Sequence, residues 1–322
     1  MSSSRSDVFS RAVANLNPLL SELEQMRLHS LDQRAKGTRY MWISALCCLP
    51  LLILGPFGLV LGGIVTAIAC AVIYSRYFAS FRKDYEQTFK YRVLTQLTKE
   101  VQPGLEYRPG EGLPQYVFEA AGLHSGDIDR YHTEDLFCGK IGDTDVWFAE
   151  VKAEDKRTRT DSKGNTETYW VTIFEGILFI ADFHKHFASD VTVMPDVGEK
   201  HFGWLGKMMQ NIGGNVVRLE SPDFEREFVV RGRDQVEARY ILTPDMQERI
   251  LQLRSVLGGS LCMAFRNSKL HLSFENHGNW FEPDYFRPSG DFSQLAQFVR
   301  EMQYCCGIVE QMNLNTRIWT KD

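Results

Sequence analysis

The sequence predicts an α+β protein: an N-terminal transmembrane helical hairpin with a helical stalk, then a cytoplasmic domain of antiparallel β-meander plus helices. Three observations lead to this prediction. The chain carries no charged residue across positions 40–75. Amphipathic helical patterns lie on both sides of that run. Beyond residue 102, segments rich in β-branched and aromatic residues alternate with short turns, a pattern typical of antiparallel strands.

Charge is divided unevenly along the 322 residues. Residues 1–101 contain 12 Lys and Arg against 7 Asp and Glu, whereas the remaining residues contain 24 against 34. Binding to a nucleic-acid backbone requires clustered basic residues, so we expect no nucleic-acid partner. The seven cysteines contain no Cys-x-x-Cys pair, which fits a reducing compartment. Phosphate-cradling and acyl-transfer motifs are missing from the sequence, and no cofactor is predicted.

The N-terminal segment 1–39 is predicted to form an amphipathic helix, and 76–101 to form a stalk helix. Apolar residues of the first recur at steps of three and four: Leu16, Leu19, Leu20, Leu23, Met26 and Leu31. Those of the second do much the same: Phe78, Phe81, Tyr85, Phe89, Leu94, Leu97 and Val101. We expect the two helices to continue the hairpin and pack their apolar stripes together. A membrane-surface helix and a partner coiled coil are the alternatives.

The uncharged run 40–75 is too long for one upright crossing of a bilayer, which takes about 20 residues. Gly55-Pro56-Phe57-Gly58 is typical of a turn and predicts two short membrane arms, 40–54 and 59–74. Gly62-Gly63 would let the arms approach closely. Aromatic residues at the ends of the run could anchor the arms at the interface. A buried globular hairpin and a re-entrant loop remain as alternatives.

Basic residues outside the run predict its orientation. Arg34, Lys36 and Arg39 precede the first arm, Arg76, Arg82 and Lys83 follow the second, and the turn between the arms has none. By the positive-inside rule, both ends should face the cytoplasm. The predicted location is the bacterial inner membrane, multi-pass, with cytoplasmic N- and C-termini and the lipid bilayer as a partner.

Residues 102–322 are predicted to form the cytoplasmic domain, with a subdivision near 211–214. A Pro- and Gly-rich loop opens the domain, and a short helix ends at Gly122. Strands are expected from Asp135 onward: "LFCGKI", "DVWFAEVKA", "YWVTIFEGILFIADF", "DVTVMP", "NVVRLE" and a hairpin in "LCMAFRNSKLHLSF". Helices are expected after Ser221-Pro222, after Thr243-Pro244 and after Asp291. The polar loop 154–168 is predicted to be a solvated hairpin tip, with contact to a partner or a lipid headgroup as the alternative.

The order of a helical hairpin, "EDLFCGKIGDTDVWFAEVKAE", "IFEGILFIADFHKHF" and "FEREFVVRGRDQVEARYILTP" resembles a bacterial family known as domain of unknown function three-one-three-seven. The resemblance runs from about Arg34 to Phe274. It implies an integral membrane location and a cytoplasmic α+β domain. It implies no catalytic residues.

Glu150-Val151-Lys152 on a predicted strand is the sharpest enzyme-like pattern. In nucleases with an acidic residue and a Glu-x-Lys strand, these groups hold a divalent metal that activates water. Asp135 and Asp145 lie upstream and complete the candidate catalytic set. A cross-strand ion pair on a solvated surface explains the same residues without chemistry, because alternation places Glu150 and Lys152 on one face of a strand.

A candidate metal site is formed by Asp182, His184 and His186 in "DFHKHF". On a strand, the two histidines would share a face and could bind a metal together with the aspartate. Metal sites usually need three or four ligands, and only His201 lies near enough in sequence to add one. A charged strand end or helix start explains the same residues without a metal, and this interpretation is preferred. The segment 201–214, rich in Gly and Met around Trp204, is read as a core-covering segment or a contact loop.

These patterns favour a membrane-anchored, non-enzymatic module that binds another protein as an adaptor or regulator. A membrane-tethered metal-dependent hydrolase using Glu150 and Lys152 is the alternative, and a small-ligand sensor is the third hypothesis. The sequence leaves open whether the chain also forms a homo-oligomer.

Overall fold

The protein forms two compact units. A computed structural model describes residues 2–47, 55–160, 164, 166–183, 185–196, 215–258, 260–276 and 280–315. The first unit is Met1–Val101 together with Glu282–Phe298, and the second is Gln102–Phe281 together with Val299–Asp322. The segment Glu282–Phe298 was predicted to be part of the cytoplasmic domain. It instead belongs to the same compact unit as the N-terminal helices.

The first unit is built around two long helical stretches. Helix α1 spans Ser2–Cys47. The second stretch contains α2 (Gly55–Tyr74), a π-helical turn (Ser75–Ala79), α3 (Ser80–Thr88), a second π-helical stretch (Phe89–Leu94) and α4 (Thr95–Val101). Because α2 begins at Gly55, the prediction of a turn over 55–58 is wrong. Proline is compatible with the first turn of a helix, where its missing N–H has no intrahelical partner.

The two stretches run antiparallel. Asn15 hydrogen-bonds Glu100 at 3.1 Å, Arg92 pairs with Glu22 at 2.7 Å, and the rings of Tyr40 and Tyr77 lie 5.7 Å apart. As the residue number rises along α1, the number of its partner falls, which defines a helical hairpin.

One face of α1 is buried along most of its length. Its buried residues are spaced by three, four or seven positions: Ala12, Leu16, Leu20, Leu23, Arg27, Ser30 and Gly37. This spacing is the seam of a coiled-coil-like packing. Met26 was predicted to lie on the buried stripe but is 40% exposed. After Leu23, the next buried residue of α1 is Arg27, four positions on, so Met26 lies outside the buried face. Phe78 and Phe81 have side chains outside the described set.

Helix α2 is apolar and largely exposed. Phe57, Val60, Ile64, Ile68 and Val72 are each more than half exposed. Its buried positions include Gly58 and Gly62, one turn apart, which is the spacing that lets two membrane helices approach closely. Among the described residues, one helix, Gly55–Val101, is long and apolar enough to cross a membrane by length and composition. The first predicted arm, 40–54, lies partly outside the described residues.

The segment Glu282–Phe298 packs on the hairpin through polar side chains. Tyr85 hydrogen-bonds Ser289 at 3.0 Å, and Ser30 hydrogen-bonds Tyr285 at 2.6 Å. The backbone N–H of Ser289 donates to Glu24 at 2.8 Å. Lys90, 7% exposed at its side chain, pairs with Glu282.

Glu24 also holds the neighbouring Arg27 guanidinium at 2.6 Å. Hydrogen bonding to Arg27 lowers the pKa of Glu24. The buried polar positions in the hairpin seam thus lie where a segment from the other end of the chain supplies hydrogen-bonding partners.

The nine strands of the described part of the second unit form one antiparallel sheet. They are β1 (Leu105–Arg108), β2 (Arg130–Ile141), β3 (Thr144–Thr160), β4 (Thr166–Asp182), β5 (Val191–Pro195), β6 (Asn215–Val217), β7 (Phe228–Gly232), β8 (Cys262–Arg266) and β9 (Lys269–Glu275). Their order across the sheet is β1-β2-β3-β4-β9-β8-β5-β7-β6. The meander is confirmed, and so is the α+β class. Strand β1 was missed because its four residues sit inside the Pro- and Gly-rich segment.

Among the described residues, five further helices follow β1 in the chain, four of them where the sequence predicts a helix, whereas the helix Gln235–Ile241 was not predicted. They are α5 (Gln115–Ala121), α6 (Pro222–Glu227), α7 (Gln235–Ile241), α8 (Pro244–Leu257) and α9 (Phe292–Gln311). The side chains of Ser221 and Thr243 cap α6 and α8 by accepting backbone N–H bonds. Gly122 ends α5 with a φ of 60°, the left-handed conformation that glycine adopts freely.

One core cluster of the second unit gathers buried residues of α5 and five strands, among them Phe118, Phe174 and Leu178. Two histidines are enclosed in this part of the unit. His124 stacks on Phe118 with ring centroids 5.3 Å apart and hydrogen-bonds Ser273 at 2.9 Å. Burial lowers the pKa of His124 to about 3 and that of His271 to about 4, so both are neutral near pH 7.

Strands β3 and β4 continue beyond their neighbours as a two-stranded ribbon. Their pairing extends from Asp155↔Val171 to Thr160↔Thr166, past a register shift at Ala153/Glu154. The strands extend further into the predicted hairpin tip than expected, because residues 154–160 and 166–168, predicted as loop, are paired strand. Alternating Thr favours extended structure, but both ribbon faces meet solvent, so no apolar alternation revealed the strands.

Candidate functional site

A groove of about 310 Å³ opens over the central strands of the second unit. Eight residues line it: His132, Glu134, Glu150, Val151, Lys152, Glu175, Gly176 and Asn276. They come from β2, β3, β4 and the position just after β9. Three of the eight are glutamates, and the only lysine or arginine among them is Lys152.

Strand pairing explains why these side chains converge. Glu150 and Lys152 lie two residues apart on β3, so they share a face of the sheet. Glu134 is directly opposite Glu150 on β2, and Glu175 is directly opposite Lys152 on β4. Side chains of directly opposed residues project to the same face. The sheet register thus assembles the acidic lining of the groove.

Glu150 is held by groups from the chain that follows β9. Its Oε1 accepts a hydrogen bond from Asn276 Nδ2 at 2.9 Å and another from the backbone N–H of Trp280 at 2.7 Å. These two bonds fix the carboxylate at the side of the groove. Its role in the described structure is to anchor the segment leaving β9.

Lys152 and His132 complete the charge pattern at the rim. Lys152 Nζ lies 3.0 Å from Glu175 Oε2, and both side chains are at least 40% exposed. His132 Nε2 lies 3.4 Å from Glu134 Oε1. With three carboxylates against one ammonium and one imidazole, the groove favours a cationic group over an anionic one.

Gly176 forms part of the groove floor because the neighbouring strand approaches it closely. A Cβ at this position would lie 2.2 Å from the backbone oxygen of Phe274 on β9. The site therefore depends on a residue without a side chain at the junction of β4 and β9.

The other members of the predicted catalytic set lie elsewhere. Asp145 pairs with Lys140 at 3.3 Å on the strands flanking the β2–β3 turn. It is five residues from Glu150, about 17 Å along an extended strand, and alternation places it on the opposite face. Asp145 and Glu150 do not converge on one metal or one water.

Asp135 is buried at a bulge of β2, with a φ of 57°. It accepts a hydrogen bond from the Tyr107 hydroxyl. A carboxylate oxygen of Asp135 lies within 4.8 Å of one of Glu134, and two acidic groups at that distance could hold a cation. Asp135 does not line the groove.

The predicted histidine site is only partly described. Asp182 is the last residue of β4, opposite Lys269 of β9. His186 lies beyond the end of β4, 3.4 Å from Ser268 Oγ, and is exposed. His186 therefore lacks the strand position that the metal-site hypothesis requires, and its place just past β4 agrees with the prediction of a charged strand end. His184 is outside the described residues, as are His201 and the segment 201–214.

An exposed aromatic pair on the ribbon went unnoticed in the sequence. Tyr169 is 43% and Trp170 is 38% exposed. The guanidinium of Arg130 lies 3.8 Å from the Trp170 ring centroid and also pairs with Glu154 at 3.2 Å. A stacked arginine favours one orientation of the indole while leaving part of it accessible. The signal in the sequence was the Tyr-Trp pair within a polar, Thr-rich stretch.

The fold and groove define an antiparallel sheet domain in a chain whose N-terminal hairpin carries a helix of membrane-spanning length. Residues 172–314 match the model of the family described as "Protein of unknown function (DUF3137)". This match confirms the resemblance for that part of the chain, which runs from β4 through α9. Comparison with curated proteins finds no match. Comparison with solved structures finds none either.

Proposed function

We propose that the protein is a membrane-anchored module that binds another protein, as an adaptor or regulator. The hairpin of α1 and α2 would be inserted in the bacterial inner membrane with both ends in the cytoplasm. Basic residues flanking the apolar run support that orientation. The exposed aliphatic surface of α2 supports insertion, because a helix in a soluble core would be covered by protein.

The β3–β4 ribbon is the observation that carries the binding proposal. It extends past the rest of the sheet and presents Tyr169 and Trp170 to solvent. Tyrosine and tryptophan are enriched at the centres of protein interfaces because they supply a large contact area with few rotatable bonds. Because Tyr169 and Trp170 are consecutive on β4, they project to opposite faces, and each face of the ribbon offers one aromatic contact to a protein partner.

Co-purification of the full-length tagged protein from native membranes in mild detergent tests this function. The informative variant is Tyr169→Ala with Trp170→Ala, and the matched control is Tyr116→Ala, an exposed aromatic residue on α5. We expect a specific partner with the wild type and the control, and at least a tenfold lower recovery with the double variant. The proposal fails if wild-type protein recovers nothing above background, or if the double variant recovers the same partner equally well.

A further inference from the structure

We infer that the partner is recognised by strand addition: an extended peptide with a basic N-terminal end pairs with the free edge of β4 over Thr166–Glu175. This inference rests on the proposed protein-binding function and specifies its partner. The pairing is antiparallel, and the basic end of the peptide enters the acidic groove.

The first observation is the edge itself. Strand β9 pairs with β4 only from Gly176 to Asp182. Among the residues that the structure describes, Thr166–Glu175 pairs with β3 on one side, except for the extra residue Ile173, and with no strand on the other. Such an edge presents backbone N–H and C=O groups that another chain can bind, and natural proteins usually protect long edges of this kind.

The composition of the β4 edge permits pairing with an added strand, whereas the β3 edge of the ribbon is protected against such pairing. Thr166–Glu175 reads TETYWVTIFE, rich in β-branched and aromatic residues and without Lys, Arg or Pro. The β3 edge carries Lys156, Arg157 and Arg159, and the backbone N–H of Lys156 already donates to the Asp129 carboxylate at 2.8 Å. Lysines and side-chain caps discourage pairing. Of the two ribbon edges, only that of β4 carries no Lys or Arg, although Ile173 is an extra residue at the register shift with β3.

The groove lies at the end of the free edge. Glu175 and Gly176 line it and mark the point where β9 stops pairing with β4. A strand continuing the line of β9 would place its first residue opposite Glu175. That side chain would project to the face of Glu175, which is also the face of Lys152 and Glu150.

Charge identifies the occupant. The groove contains Glu134, Glu150 and Glu175 against the single ammonium of Lys152. A lysine or arginine at the start of the added strand would therefore be attracted, and an acidic residue would be repelled. Peptide recognition at sheet edges generally combines backbone pairing with pockets that select alternate side chains. Here the pairing is provided by β4 and the selective pocket by the acidic groove.

Peptide binding to the full-length protein in detergent tests the inference. The probe is a labelled, N-acetylated decapeptide of alternating valine and threonine with lysine at positions 1 and 3, and its control carries glutamate there. We expect the lysine peptide to bind at least tenfold more tightly. The double variant Glu134→Gln with Glu175→Gln should abolish the preference, whereas Glu167→Gln, on the ribbon, should keep it.

Hydrogen–deuterium exchange locates the bound peptide. We expect the backbone amides within Thr166–Glu175 to exchange at least fivefold more slowly with the lysine peptide, while those of 155–160 gain no such protection. Equal binding of both peptides, or protection confined to 155–160, overturns the inference. If the same amides are protected without peptide because the protein self-associates, the edge binds a second copy of the chain. That result also overturns the inference.

The double glutamine variant separates this inference from the proposed function. If the native partner co-purifies with the variant as well as with wild type, protein binding stands and recognition through the groove is refuted. If wild type recovers no partner, the proposed function has failed.

Discussion

The hydroxyl groups of Tyr85 and Ser289 form a hydrogen bond of 3.0 Å between residues 204 positions apart in the chain. Tyr85 is 1% exposed, and its ring also meets that of Tyr285 at 5.6 Å. Desolvation is the largest influence on its pKa, which is raised. Tyr85 is therefore one of the points at which the helical hairpin holds the segment Glu282–Phe298, together with Glu24, Ser30 and Lys90.

Tyr85→Phe is expected to loosen this segment without emptying the space filled by the ring. Loss of a buried hydrogen bond costs about 1 kcal/mol, which corresponds to roughly fivefold faster local opening. Hydrogen exchange of the amides in Glu282–Phe298 measures the change in detergent-solubilised protein. Tyr91→Phe, at an exposed position of the same stretch, is the control. Unchanged exchange in the Tyr85 variant would show that this bond does not hold the segment.

Gly176→Ala is expected to destabilise the sheet at the groove. The added methyl would meet the Phe274 backbone oxygen at 2.2 Å, so β4 and β9 would have to separate. Overpacking of this kind costs about 1 to 3 kcal/mol. Gly290→Ala, where a Cβ meets nothing within 4 Å, is the matched control. Denaturant unfolding followed by tryptophan fluorescence compares the two, and equal midpoints would contradict the close approach of the strands.

Glu150 and Lys152 are expected to differ sharply in their effects on stability. Glu150→Ala leaves the Trp280 N–H without its acceptor and should lower the free energy of unfolding by about 1 to 3 kcal/mol. Lys152→Ala removes an exposed ion pair and should cost less than about 1 kcal/mol. We expect background phosphodiester cleavage with Mg²⁺ or Mn²⁺ for wild type and both variants. Metal-dependent cleavage lost on either substitution would instead support the hydrolase hypothesis.

The protein is expected to lose stability as the pH falls from 6.5 towards 4. The folded-state pKa values of His124 and His271 are lowered by burial to about 3 and 4. Below pH 6.5 the unfolded chain binds protons at these positions that the folded chain does not bind. Each histidine then reduces the free energy of unfolding by about 1.4 kcal/mol per pH unit.

Unfolding midpoints measured from pH 7 to pH 5 test this pH dependence. His271→Gln should show a shallower loss than wild type over the same range, because one of the two buried imidazoles is gone. Parallel pH profiles for the two proteins would refute the contribution of His271.

The local signals in the sequence predicted much of the sheet domain. Ser221, Thr243 and Asp291 mark helix starts through side-chain capping, a contact between near neighbours in the chain. The turn at Asn267-Ser268 was found in the same way, and both residues have positive φ. Interactions confined to a few residues leave a readable pattern.

The groove and the hairpin seam could not be predicted because they depend on distant pairing. Glu134 faces Glu150 only through the register of β2 and β3. Asn276 reaches Glu150 only because β9 ends beside β4. The burial of Ser30 was not predicted because its partner, Tyr285, lies 255 residues further along the chain. Long-range register carries no local signature.

The discontinuous make-up of the first unit constrains the order in which the protein can mature during synthesis. The polar groups of Glu24, Ser30 and Tyr85 are made early, but Tyr285 and Ser289 follow only after the whole sheet domain has been translated. At the usual pace of translation, the interval between Val101 and Glu282 lasts roughly 10 to 40 seconds. A ribosome that stops before residue 289 therefore releases a hairpin whose seam lacks these partners. The first unit can thus be completed only after nearly the full chain has been synthesised.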